Sequence, residues 1–143
     1  MAKNSISIIV DAPLATLMQV ITDYEAFPEF IPELENIQVK RVNENTNRVT
    51  YTVNLIKKIT YTVESVVESE SRVSWSLVKG DFMKKNQGRW LLESLGDNQT
   101  KVIYEIEMTF GMLVPSSLVS TLQERNLPIM MEQFKTRAES LVD

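Results

Sequence analysis

The sequence predicts an α+β fold: a seven-stranded antiparallel curved sheet wrapped around one long C-terminal helix, with two short helices between strands 1 and 2. Three observations carry that expectation. Between about residues 34 and 110 the apolar residues recur with a period of two. A short helical stripe precedes this region and a longer one follows it. No linker, repeat or low-complexity tract divides the 143 residues, so 1–143 reads as a single domain. A chain of this length buries roughly two-thirds of its unfolded surface, enough for a core without metal or disulfide staples.

The first strand places Ile6, Ile8 and Val10 on one face, with Ile9 blurring the alternation. Asp11-Ala12-Pro13 reads as an N-cap followed by a proline in the first turn, where its missing N–H is harmless. Leu14, Leu17, Met18 and Ile21 then form a helical stripe. A second short helix is expected from Asp23, carrying Tyr24 and Phe27 and ended by Pro28 and Pro32. Four alternating runs follow: Val49 to Leu55, Ile59 to Val63, Val73 to Leu77 and Val102 to Met108. Alternation with short connections indicates antiparallel strands with one buried and one wet face. The connections are 43–47, Lys57-Lys58, Glu70-Ser71, 80–87 and 96–98. From Pro115-Ser116-Ser117 the apolar residues Leu118, Leu122, Leu127, Met130, Met131, Phe134, Ala138 and Leu141 mark the long helix, which Pro128 must kink or break. That helix has to cover the apolar face of the sheet, since nothing else in the chain is large enough.

Composition removes whole classes of chemistry. With no cysteine and no histidine there is no thiol nucleophile, no Ser-His-Asp triad, no Cys/His zinc site and no histidine base. No cofactor and no metal is expected. Fifteen basic against nineteen acidic residues, net −4, argue against direct nucleic-acid binding. The apolar run at the start is too short for a signal peptide and meets Asp11, and no stretch has the length of a membrane span. The expected location is cytoplasmic, with a membrane-peripheral position as the variant.

If the alternating set points inward, the concave face carries Tyr51, Val53, Tyr61, Val63, Trp75, Leu77, Trp90, Leu92, Tyr104, Ile106 and Met108, and the helix adds Leu122, Met130, Met131 and Phe134. None is charged. Phenol and indole groups are the only polar handles, which suits an apolar ligand with one or two hydrogen-bonding groups. The same residues serve equally as plain core.

Every second turn of a meander falls at the same end. One end collects the polar turns 44–47, 70–71 and 96–99. The other collects Ile56, Lys57, Lys58, Phe82, Met83, Lys84, Lys85, Met112, Leu113 and Val114. Loops are normally polar, so apolar side chains with four lysines mark a portal or docking surface, or else a cap folded back on the core.

Asp23-Tyr24-Glu25-Ala26-Phe27-Pro28-Glu29-Phe30-Ile31-Pro32 resembles the D-Y-x-x-Y/F-P-x-F-x-P signature of coenzyme Q-binding and polyketide cyclase/dehydrase proteins in the START-like, or helix-grip (SRPBCC), superfamily. Trp75 to Lys85 followed by Gly88-Arg89-Trp90 resembles that family's strand, G-x-F loop and G-x-W strand. Phe134-Lys135-Thr136-Arg137-Ala138 resembles its F-x-x-R-A ending. The resemblance spans nearly the whole chain. It implies a sheet gripping the long helix, with a cavity between them for lipids, quinones or polyketides, one wall of whose opening is Asp23 to Pro32, Phe30 included. Pro115 and Pro128 fit a bacterial sub-group. Relatives range from quinone-binding respiratory partners to ribosome-associated toxins and true cyclases, so the fold leaves function open. Cyclases of this kind often use ionisable pocket groups. Here only tyrosines stand in the expected face, and a phenol of pKa about 10 is a poor base near neutrality. A binding or carrier module for a small hydrophobic molecule is therefore the expected function. A cyclase/dehydratase, or a module docking on protein or membrane through the apolar-basic loops, is the alternative.

Overall fold

The computed structural model describes residues 2–54 and 58–142, with the side chains of Ala2, Lys3, Leu122 and Gln123 excepted. Strand β1 (Ala2–Val10) leads into helix α1 (Leu14–Thr22) and a 3-10 helix (Tyr24–Glu29). Six strands follow: β2 (Leu34–Arg41), β3 (Thr46–Asn54), β4 (Lys58–Ser69), β5 (Arg72–Gly80), β6 (Met83–Gly96) and β7 (Gln99–Phe110). Helix α2 (Ser116–Ser120), a π-helical stretch (Thr121–Asn126) and helix α3 (Leu127–Ser140) complete the chain.

The sheet order is β1-β7-β6-β5-β4-β3-β2, antiparallel throughout. β2 to β7 form a simple meander. The two helices between β1 and β2 carry the chain across the concave face, so β1 and β2 become opposite edges. This is the helix-grip architecture, and the expected α+β fold holds.

Small side chains close one end. Val10, Ala12, Thr100 and Ala138 are fully buried there, joined by Leu17, Val49, Val102 and Met131. The hydroxyl of Thr100 donates to the Ala12 carbonyl (2.8 Å), and the backbone N–H of Asp11 donates to Glu139 Oε2 (2.9 Å). Along α3 the buried face is Leu127, Met131, Phe134 and Ala138. Its C-terminal half thus lies close to the sheet over alanine, valine and threonine. Toward its N-terminal half Phe134 meets Trp90, which meets Tyr104 on the sheet.

Several local expectations are corrected. Pro13, not Asp11, occupies the N-cap position of α1, without a side-chain cap; Asp11 instead accepts from Gln99 Nε2 (3.1 Å). Pro28 lies inside the 3-10 helix, where its fixed φ is tolerated, and does not end it. The β5–β6 turn is only Asp81-Phe82, so Met83, Lys84 and Lys85 belong to β6. Pro128 does not break the helical run, which is continuous from Ser116 to Ser140. The proline occupies the first turn of α3, and the wider π-helical turns before it accommodate the lost N–H and the ring. Leu141 is half exposed, off the buried stripe.

Candidate ligand-binding cavity

A cavity of about 210 Å³ lies between the sheet and the N-terminal half of α3. Strand parity builds its walls. β3 supplies Tyr51 and Val53; β4 supplies Ile59, Tyr61, Val63 and Ser65; β5 supplies Val73 and Trp75. β6 adds Met83, Asn86 and Trp90, and β7 adds Tyr104, Ile106, Met108 and Phe110. Ile21, Tyr24 and Phe27 close the side, and Leu127, Met130 and Phe134 form the roof. Ile31, Glu33, Leu34 and Asn126 complete the described lining. Glu33 is the one charged side chain among the described lining residues.

The aromatic lining is a connected set. Tyr104 stacks on Trp75 (centroids 5.2 Å) and meets Trp90 edge-on (4.6 Å). Trp90 meets Phe134 (4.9 Å), which meets Phe27 (5.2 Å). Each such pair contributes about 0.5–1.5 kcal/mol beyond its burial, which keeps the wall rigid around the empty volume. The sheet is unusual beside Trp75. β5 and β6 pair only from Arg72↔Leu91 to Trp75↔Gly88, and above that level they diverge. There the Trp75 indole N–H donates to Asn86 Oδ1 (2.9 Å), bridging the parted strands, and the Asn86 amide donates to Met83 Sδ (3.6 Å) within β6. Gly88 permits this crossing: a Cβ there would stand 2.1 Å from the Glu105 carbonyl oxygen and 2.7 Å from the Trp75 ring. Asp81 anchors the turn to β4 through its N–H to the Thr60 carbonyl (3.0 Å) and its carboxylate to the Thr60 N–H (3.2 Å). Phe82 adopts φ 61°, a strained conformation for a bulky residue.

The four phenols differ. Tyr24 OH shares a buried 2.6 Å hydrogen bond with Ser65 Oγ. Burial raises its pKa and the bond to Ser65 partly offsets that. Burial pushes Tyr61 up to about 12 and raises Tyr104 further, with Tyr61 adding to the latter. Tyr51 is raised well above 10 by burial first, then by the neighbouring phenols of Tyr61, Tyr24 and Tyr104. All four remain neutral donors at physiological pH, unsuited to act as bases. Among the described residues no group of three or more carboxylates converges that would hold a metal ion.

Eleven of the residues expected to contact ligand border this volume: Tyr51, Val53, Tyr61, Val63, Trp75, Trp90, Tyr104, Ile106, Met108, Met130 and Phe134. Three expected there do not. Phe30 lies on the outer side of α3, against Phe27 and Phe134, with the Arg137 guanidinium 5.3 Å above its ring. Leu77 sits where β5 turns away from β6 and packs against the core, and Leu92 is buried one pleat below Trp90, past the cavity floor. The side chain of Leu122 lies outside the described residues. At the opposite end from the polar turns, Ile56 and Lys57 likewise fall outside them. Met112 and Leu113 are almost fully exposed (96% and 92%) and Phe82 partly so, while Met83 turns into the cavity. Lys58 pairs with Glu35 (3.1 Å) and Lys85 with Glu107 (3.7 Å), so of the four lysines only Lys84 is both described and without an ion pair among the described residues.

Sequence reasoning missed Ser65 and Asn86 as cavity residues. Both are polar in buried strand positions, and parity with Val63 and Trp90 would have placed them inward.

These features define a helix-grip domain with an apolar, phenol-bearing interior. The model of the family described as polyketide cyclase/dehydrase and lipid transport matches residues 10–135, and the chain belongs to that family. Among solved structures it is similar to a START superfamily protein from Mycobacterium smegmatis, at 19% identity and TM-score 0.86, covering 98% of this chain and 99% of that one. It is similar to the Zhui aromatase/cyclase from a Streptomyces species, at 13% identity and TM-score 0.89, with 99% and 96% covered. A protein of Thermus thermophilus matches at 16% identity and TM-score 0.88, with 99% and 100% covered. At these identities the likeness extends to the fold alone. No curated protein matches the chain. Among the described residues no helix is long and apolar enough to cross a membrane.

Proposed function

We propose that this protein binds a small hydrophobic molecule, of lipid, quinone or polyketide-like character, between the sheet and α3, and carries or presents it rather than transforming it. One observation carries the reading: the interior retains about 210 Å³ of space, walled by aromatic and aliphatic side chains with Glu33 as the lone described charge. An engineered apolar cavity of about 150 Å³ accepts benzene, so this volume suits one or two rings with any tail leaving at the mouth. The neutral phenols support a binder over a cyclase, because a cyclisation needs a proton acceptor and a buried phenol held protonated is a poor one. Native mass spectrometry of the purified protein, followed by organic extraction, tests the reading. A co-purifying apolar molecule at one per chain is expected. A clean apo mass together with no uptake of the neutral probe N-phenyl-1-naphthylamine would refute it.

A second reading rests on Met112 and Leu113. Two adjacent apolar side chains exposed above nine-tenths, beside the end that carries Met83 and Phe110, favour docking of that end on an apolar surface such as a bilayer during loading.

A further inference from the structure

Three cavity phenols carry hydrogen-bond donors that no described residue accepts. Tyr24 is satisfied by Ser65, and the indole of Trp75 by Asn86. The hydroxyls of Tyr51, Tyr61 and Tyr104 have no partner among the described residues, nor has the indole N–H of Trp90. Tyr104 and Trp90 are 6% and 7% exposed and line the cavity, so their polar groups face its interior and not the outer surface. The Tyr51 and Tyr61 rings lie 5.3 Å apart, and the phenols of Tyr51, Tyr61 and Tyr104 lie within electrostatic reach of one another. Donors that face a cavity without a protein partner are open to whatever fills it, so an unmatched group of them around an open volume marks where a ligand supplies acceptors.

Resting on the binder reading above, we infer that Tyr51, Tyr61 and Tyr104 form a donor subsite that selects uncharged ligands bearing a carbonyl oxygen and rejects carboxylates. A carbonyl oxygen has two lone pairs and accepts from two phenols at once. A carboxylate would also accept, but it would enter an apolar site with no cation in the described lining and with Glu33 as one of its walls. Burying an unpaired charge outweighs what neutral donors return. The subsite therefore separates ketones and esters from free acids of the same skeleton.

The test uses three probes of one shape, 2-ethylnaphthalene, 2-acetylnaphthalene and 2-naphthoate, each displacing N-phenyl-1-naphthylamine from the full chain at pH 7. The ketone should bind about tenfold tighter than the hydrocarbon, the worth of one or two net hydrogen bonds, and the acid at least about tenfold weaker than the ketone. In the Tyr51→Phe/Tyr61→Phe/Tyr104→Phe variant the ketone advantage should vanish while the hydrocarbon binds within about twofold of wild type. The single variants provide the same comparison if the triple variant does not fold. Hydrocarbon binding with no preference for the ketone, or tightest binding of the acid, overturns the subsite while leaving the cavity intact. Failure of all three probes to bind overturns the binder reading itself, and the subsite with it.

Discussion

Replacing Tyr24 by phenylalanine and, separately, Tyr104 by phenylalanine deletes one hydroxyl from each of two buried rings with opposite expected outcomes. Tyr24 OH lies 2.6 Å from Ser65 Oγ, and the two residues are 7% and 3% exposed. Losing the phenol strands a buried serine hydroxyl, which costs about 1–3 kcal/mol. For a chain of this length each kcal/mol moves Tm by roughly 3 °C, so Tyr24→Phe should melt about 3–9 °C below wild type. Tyr104 OH has no partner among the described residues, so Tyr104→Phe removes only a polar atom from an apolar wall. Its stability should stay within about 0.5 kcal/mol of wild type. Adding Ser65→Ala to Tyr24→Phe should recover most of the loss, because removing both partners is nearly neutral. Urea denaturation followed by the fluorescence of Trp75 and Trp90 measures all four proteins. If Tyr104→Phe lost as much as Tyr24→Phe, the assignment of satisfied and free phenols would be refuted.

The remaining predictions follow from the same geometry. All four tyrosines are raised above 10, so 295 nm absorbance should stay flat past pH 10 and then rise with unfolding. For a raised phenol the stability is fully present below the unfolded pKa and is lost as pH climbs through the folded value; for Tyr61 that window runs from 10 to about 12, worth about 3 kcal/mol. A smooth titration centred on pH 10 would mean solvated phenols. Gly88→Ala should lose more than about 3 kcal/mol or fail to fold in a circular dichroism melt, since its methyl carbon would stand 2.1 Å from a backbone oxygen of β7. Thr100→Val should lose about 1–2 kcal/mol in the same melt, leaving the buried Ala12 carbonyl unmatched. Met112→Ser with Leu113→Ser should keep Tm within about 1 °C but slow the uptake of N-phenyl-1-naphthylamine from lipid vesicles.

Alternation makes most of the cavity's sheet wall legible in the sequence. Tyr51, Tyr61, Trp75 and Tyr104 each fall at an inward parity position, and one strand period places them on one wall. Parity alone does not give depth. Leu92 shares the parity of Trp90 but lies one pleat further, where alanine, valine and threonine let α3 close on the sheet. Nor does it give the local parting of two strands, which displaces Leu77, or the register shift between Met83 and Lys85 that brings Met83 inward. Phe30 was misplaced for a different reason: it follows a 3-10 helix whose threefold winding keeps Tyr24 and Phe27 buried while the chain then turns Phe30 outward over α3. The effect of Pro128 depended on π-helical turns that leave no mark in an apolar stripe. The lysine rim looked basic in sequence, yet its partners Glu35 and Glu107 come from strands distant in the chain.

The central claim is that the interior is hollow, and the melting temperature of Val63→Phe tests it most directly. Val63 is 3% exposed and faces the cavity from the middle of β4. A larger ring there enters empty space, so Tm should hold or rise while N-phenyl-1-naphthylamine binding is lost. In a solid core the same change forces neighbours apart at about 1–3 kcal/mol, so a Tm lower by roughly 3–9 °C would contradict the account.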